Sequence, residues 1–289
     1  MQSKTRERIR FAVLALLFVA MAVLEFFEFT YVNDEVQNGI INRTMPLVAG
    51  AVAVVLLLVW NKSKLFGAPQ GLLFLIPCLI IAVNNFPFCS FFAGKSKLFH
   101  TSVTDFVLFA VYCIAIGMFE ECAFRGVLFL IVAERFSKDR KGLQKTFVAS
   151  SVLFGLAHLF NLLMGAGFGP TVLQVGYSTL IGGLCAFCLI KTHNVLLCAF
   201  VHAVYDFCGM MMAELGSGTV FDLPTGLMMG IVGVAVAAFV LWQIYKLKDS
   251  DAHALYKKLG FGLEKGLPDD NQSEEKIKEY ENGRDEEHD

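Results

Sequence analysis

Charge is scarce in this sequence. Only 17% of its 289 residues are Asp, Glu, Lys or Arg, and the formal net charge is −2. No basic patch accompanies a recognition motif, which excludes nucleic acid as a partner. The eight cysteines lie almost wholly in apolar runs, where a thiol packs as a small hydrophobe, and no disulfide framework is indicated. Cys185 and Cys188 have Cys-x-x-Cys spacing, but they stand in a hydrophobic helix without a second pair, so the spacing is a weak metal or redox signal. No compact zinc signature is present, and no internal repeat suggests a transporter built from repeated halves.

Apolar residues are what the chain has in abundance. They make up 56% of it, and mean hydropathy is +0.59. A soluble domain of this length cannot hide so much apolar surface, and several runs approach or exceed the ~20 residues that cross a bilayer. The expected class is all-α, a polytopic membrane helix bundle of about eight transmembrane helices. The spans read as about 11–32, 45–60, 71–93, 102–133, 146–165, 172–190, 194–213 and 224–245. The first has a basic start and a small-residue cleavage pattern, but its apolar character runs on to Val32, which favours a retained helix over a signal peptide.

Lys and Arg concentrate in the N-tail, at Lys62 and Lys64, between Arg135 and Lys145, and at Lys191, against only Arg43, Lys95 and Lys97 in the alternate loops. The positive-inside rule places the richer set, and with it both termini, in the cytosol of a cell-membrane protein. The expected organisation is a basic tail (1–10), a transmembrane bundle (11–246, with its motif core at 120–206) and an acidic, mobile tail (247–289). Within that tail, the run from Leu255 to Leu263 suits the membrane surface, although two glycines weaken any helix there.

Ionisable groups at membrane depth are costly and face a protein or water-filled interior. Here they are Glu25, Glu28, Glu120, Glu121, Arg125, His158, His202 and Asp206, with Asn84, Asn85 and Asn161 as polar companions. At 1.5 Å rise per residue, Glu120 lies roughly 22 Å from Arg135, His158 roughly 20 Å from Lys145, and His202 and Asp206 roughly 16 and 22 Å from Lys191. Three helices thus carry polar groups to a similar level. Glu25 and Glu28 fall near the outer end of the first span, in reach of interfacial water. Asn84 and Asn85 fall near the outer surface, where they cap or bridge helices. Gly182 and Gly183 suit close helix packing. His100, His193, His253 and His288 read as solvated loop or tail residues.

Glu121 and Arg125 are four apart and can pair on one helix face, a supporting arrangement. Glu120 points about 100° away and has no intrahelical counter-ion. His202 and Asp206 again share a face, and His158 supplies a second imidazole. Glu120 could then take a proton from water, with His158 orienting that water and His202 with Asp206 stabilising an oxyanion. A metal set of His158, His202 and Asp206 is equally drawable, so a divalent metal such as zinc stays optional. A proton-relay transporter and a non-catalytic scaffold are the rival classes. A scaffold has no chemical need for an unpaired Glu120 facing two histidines.

At these residues the chain resembles the CAAX protease and bacteriocin-processing (CPBP, Abi) family of intramembrane endopeptidases. Glu120–Arg125 (EECAFR) matches its Glu-Glu-x-x-x-Arg motif, Phe154–His158 (FGLAH) its Phe-x-x-x-His motif, and His202–Asp206 (HAVYD) its final His-x-x-x-Asn/Asp element. The resemblance implies a helical bundle and a peptidase acting on a membrane-associated peptide or protein. It implies Glu120 as the water-activating residue, His158 as its partner, His202 and Asp206 at the oxyanion, and Glu121 and Arg125 in support. Family substrates include prenylated CAAX proteins and peptide precursors, and both metal-dependent and metal-free glutamate mechanisms are argued. Some relatives act as immunity or regulatory proteins, which is the alternative function. Where the last motif position is Asn, its amide can donate. Asp206 donates only when protonated, which suits orienting His202, or binding a metal, better than a direct oxyanion role.

Overall fold

A computed structural model describes residues 27–219 and 222–261, with isolated positions between 9 and 24. The expected first span, the N-tail, Glu25, His288 and the chain after 261 fall largely or wholly outside these residues.

Six helices among the described residues are long and apolar enough to cross a membrane. Helix α1 (Glu35–Trp60) starts at Asp34, whose side chain accepts from the Gln37 N–H. It begins ten residues before the expected second span, because the Asp34 cap starts the helix in polar turns that precede the apolar run. Helix α2 (Leu75–Val83) is short. Helix α3 (Val103–Glu121) opens with a reciprocal Ser102–Asp105 capping box. Gln37 of α1 donates to the same Asp105 at 2.7 Å, tying the starts of two spans together. A π-helical segment, Cys122–Leu128, and the short α4 (Phe129–Glu134) prolong α3 into one 32-residue span. Helix α5 (Arg140–Ala157) is capped by Asp139 and tightens at His158 into a 3₁₀ turn, His158–Leu162. Helices α6 (Phe168–Thr192), α7 (Val195–Glu214) and α8 (Leu223–Lys246) complete the set. Outside the bundle, β1 (Ser96–Leu98) pairs antiparallel with β2 (Gly216–Gly218).

The buried core runs from α1 through α3 to α6 and α7, and the inner stretch of α6 from Ile181 to Ile190 is buried all round. Outward faces carry large exposed apolar residues such as Leu56, Val107, Leu173 and Leu241. A lipid-facing surface requires that pattern; in water it would be costly.

Three expectations change. The span expected at 71–93 is not continuous: α2 ends at Val83, the chain turns through Asn84–Phe86, and a one-turn helix, Phe88–Phe92, follows. Pro87 has no N–H to continue a helix and disfavours helical geometry in the residue before it. Asn84 donates back to the Ile80 carbonyl, and Asn85 donates to the Tyr205 carbonyl, bridging α2 to α7. Second, residues 249–259 of the expected mobile tail form a docked helix, α9 (Asp249–Leu259). It buries Ala252, Leu255 and Tyr256 and pairs Asp251 with Lys191 at 2.6 Å. Its glycine ends it, with Gly260 in the left-handed conformation at the C-cap. Third, His193 is only 3% exposed. It takes a left-handed turn between α6 and α7, with its Nδ1 2.9 Å from Gln70 Nε2.

Candidate active site

The site is built where small residues let helices approach. A Cβ on Gly117 would sit 2.5 Å from the Ala199 carbonyl oxygen. One turn further along α3 comes Glu121, and three residues further along α7 comes His202, so this contact sets their separation. A Cβ on Gly155 would collide with Thr179 Oγ1 and sit 2.7 Å from the Val175 carbonyl. This second contact clamps the end of α5 to α6 just before His158.

Glu121 lies at the hub, with no exposure. Its Oε1 accepts from Arg125 Nη1 at 2.8 Å and from His202 Nδ1 at 2.8 Å. Arg125 also donates from Nη2 to the Gly182 carbonyl at 2.8 Å, and its guanidinium lies 4.4 Å from the centre of the Phe154 ring. The π-helical segment carries Arg125 and interrupts the regular helix directly after Glu121. Such bulges occur often at functional sites, where they re-aim side chains without ending the helix. Glu121 is thus more than a partner for Arg125. By accepting the Nδ1 proton it holds the imidazole and leaves Nε2 directed away from the core.

Two further carboxylates meet that Nε2. Glu120 Oε2 is 3.7 Å from it and Asp206 Oδ2 is 3.6 Å. The side chains of Glu120 and Asp206 are 21% and 14% exposed against 0% for Glu121, so this is the accessible edge of the ring. Consecutive residues Glu120 and Glu121 therefore reach opposite edges of one histidine, as a 100° step around a helix allows.

His158 is half-buried, and its Nδ1 lies 3.1 Å from the Phe154 carbonyl. Donation to that carbonyl leaves Nε2 with a lone pair. The Phe154 ring packs edge-on against His158 (5.2 Å between centres) and His202 (5.7 Å). One phenyl ring is thereby shared by both imidazoles and the guanidinium. Its place four residues before His158 was legible in the sequence; its contacts with Arg125 and His202 were not. The Gly182 carbonyl and Cys185 had no distinguishing signal within the apolar run of α6. Asp206 approaches the Nε2 edge, so orientation of His202 through Nδ1 falls to Glu121, a role the i,i+4 pairing with Arg125 had masked. Glu28 is exposed and lies outside this cluster.

Of the expected metal set His158, His202 and Asp206, two members meet, with Asp206 Oδ2 3.6 Å from His202 Nε2, but the three do not gather within 4.8 Å of one another. Among the described residues, the group whose ligand atoms lie within 4.8 Å of one another is Glu121, Cys185 and His202.

Fold and site define a polytopic membrane bundle with a buried Glu–His–Arg centre. Residues 102–208 match the family model described as type II CAAX prenyl endopeptidase Rce1-like, which supports the CAAX protease family over the stretch that carries all three motifs. No curated protein and no solved structure matches the chain.

Proposed function

We propose that the protein is an intramembrane endopeptidase that hydrolyses a peptide bond near the C-terminus of a membrane-associated, CAAX-type substrate. The observation that carries this reading is the shared approach of Glu120 and Asp206 to the Nε2 edge of His202, whose other edge is held by the buried Glu121–Arg125 pair. Glu120, partly exposed at this edge, takes a proton from water as the water attacks the carbonyl. His158 accepts a hydrogen bond from that water through its free nitrogen. A His202 ring protonated on both nitrogens offers Nε2–H to the oxyanion, with Asp206 beside it as counter-charge. Glu121 and Arg125 hold the ring in register. Both termini lie on the cytosolic side, where such C-terminal substrates are presented.

The test uses the full-length chain in lipid vesicles with a prenylated C-terminal CAAX peptide. Glu120→Gln is expected to lower cleavage by roughly 10²–10⁴-fold, the range of general-base catalysis, with unchanged thermal unfolding. Cleavage at the wild-type rate by a folded Glu120→Gln protein refutes the assignment. The same peptide without its lipid reports whether the prenyl group is required.

A further inference from the structure

We propose that Glu121, Cys185 and His202 form a binding site for a thiophilic divalent cation of the zinc–cadmium class, and that its occupation inhibits the enzyme. The inhibitory part rests on the peptidase reading; the binding part does not. The three side chains come from α3, α6 and α7, are fully or almost fully buried, and place their ligand atoms within 4.8 Å of one another. A tetrahedral ion with bonds of about 2.0–2.3 Å needs such atoms roughly 3.3–3.6 Å apart, so a small inward adjustment suffices. One thiol, one imidazole and one carboxylate are the donors such ions select.

A second observation points to a missing partner. Glu121 Oε2 is buried and has no hydrogen-bond partner, while Oε1 serves both Arg125 and His202. Oε2 can bind a cation without giving up the Arg125 pair. A buried, unpaired carboxylate oxygen is costly, and a ligand would relieve that cost. Binding deprotonates the Cys185 thiol and releases that proton to solvent. The doubly protonated His202 ring loses its Nδ1 proton to solvent and keeps Nε2–H, so Nδ1 can become a ligand. Inhibition follows because the hydrogen bond that holds His202 to Glu121 is replaced by metal bonds.

The experiment titrates cadmium into the metal-free, detergent-purified full-length protein and follows the ultraviolet sulfur-to-cadmium charge-transfer absorption. One equivalent should develop the band in wild type. Cys185→Ser and Cys185→Ala should lose it. Cys188→Ser, which removes a neighbouring thiol on the same helix, should keep it. In parallel, cadmium or zinc should block peptide cleavage by wild type, with at least tenfold weaker inhibition of the two Cys185 variants, each measured against its own metal-free rate. A band that survives in both Cys185 variants, or is absent in wild type, overturns the site. Inhibition equally potent in wild type and the Cys185 variants overturns its regulatory role. Absence of cleavage by wild type both metal-free and across a series of added divalent metals refutes the peptidase reading instead, and leaves the absorption titration to decide the site.

Discussion

At the scale of single residues, the chain separates two adjacent glutamates by environment. Glu120 keeps access to water, while Glu121 is fully enclosed and holds both Arg125 and His202. An ion pair buried this deeply does not by itself stabilise a fold, because both partners lose hydration. Removing one partner is a different matter, since the other remains charged without compensation. Glu121→Ala is therefore expected to destabilise the protein by about 3–5 kcal/mol, measured by denaturant unfolding in detergent. Wild-type stability in that variant would contradict the hub role. The i,i+4 spacing of Glu121 and Arg125 was readable from the sequence because helical geometry is local. Glu121's bond to His202 spans 81 positions along the chain and has no local signature.

At the scale of elements, the site depends on how closely helices pack. In a membrane, lipid tails are as apolar as the side chains, so helices associate through close contact at small residues. The close α5–α6 contact at Gly155 lies three residues before His158. Gly155→Val must push α5 away from the backbone of α6 at Val175. It is expected to lower peptide cleavage by at least tenfold while the chain still inserts; a Gly155→Val protein with wild-type kcat/KM would remove this contact from the account. Helix identities and most span limits followed from apolar run length. The break at Asn84–Pro87 also had its signal, a proline inside an apolar run. The π-helical segment had none, because its residues are ordinary helix formers and tertiary contacts set the local winding.

At the scale of the whole molecule, α9 and the α6–α7 turn close one end of the bundle. His193 in that turn is buried, and burial, with the Lys258 charge next, holds its imidazole down to about 4. The unfolded chain, with an ordinary histidine pKa near ~6.5, binds that proton first as pH falls. Stability from His193 is thus present above about pH 6.5 and is lost as pH drops toward 4. The expected loss between pH 7 and pH 4 is about 1–3 kcal/mol, read as a falling unfolding midpoint that His193→Gln flattens. An identical pH slope in the variant would assign the effect to other groups.

The sequence by itself determined the class, the helices and the residues worth watching. Bilayer thickness imposes a run length, charge is costly inside lipid, and four-residue spacings lie on one helix face; each of these is a local constraint written in neighbouring residues. Only the tertiary structure decided which carboxylate holds His202, that Phe154 is shared among three charged or polar groups, and that Cys185 stands beside Glu121. Those outcomes depend on the distances between helices far apart in the chain. Those distances are set by the packing of Gly117 against Ala199 and of Gly155 against Thr179, where absent side chains let two backbones meet.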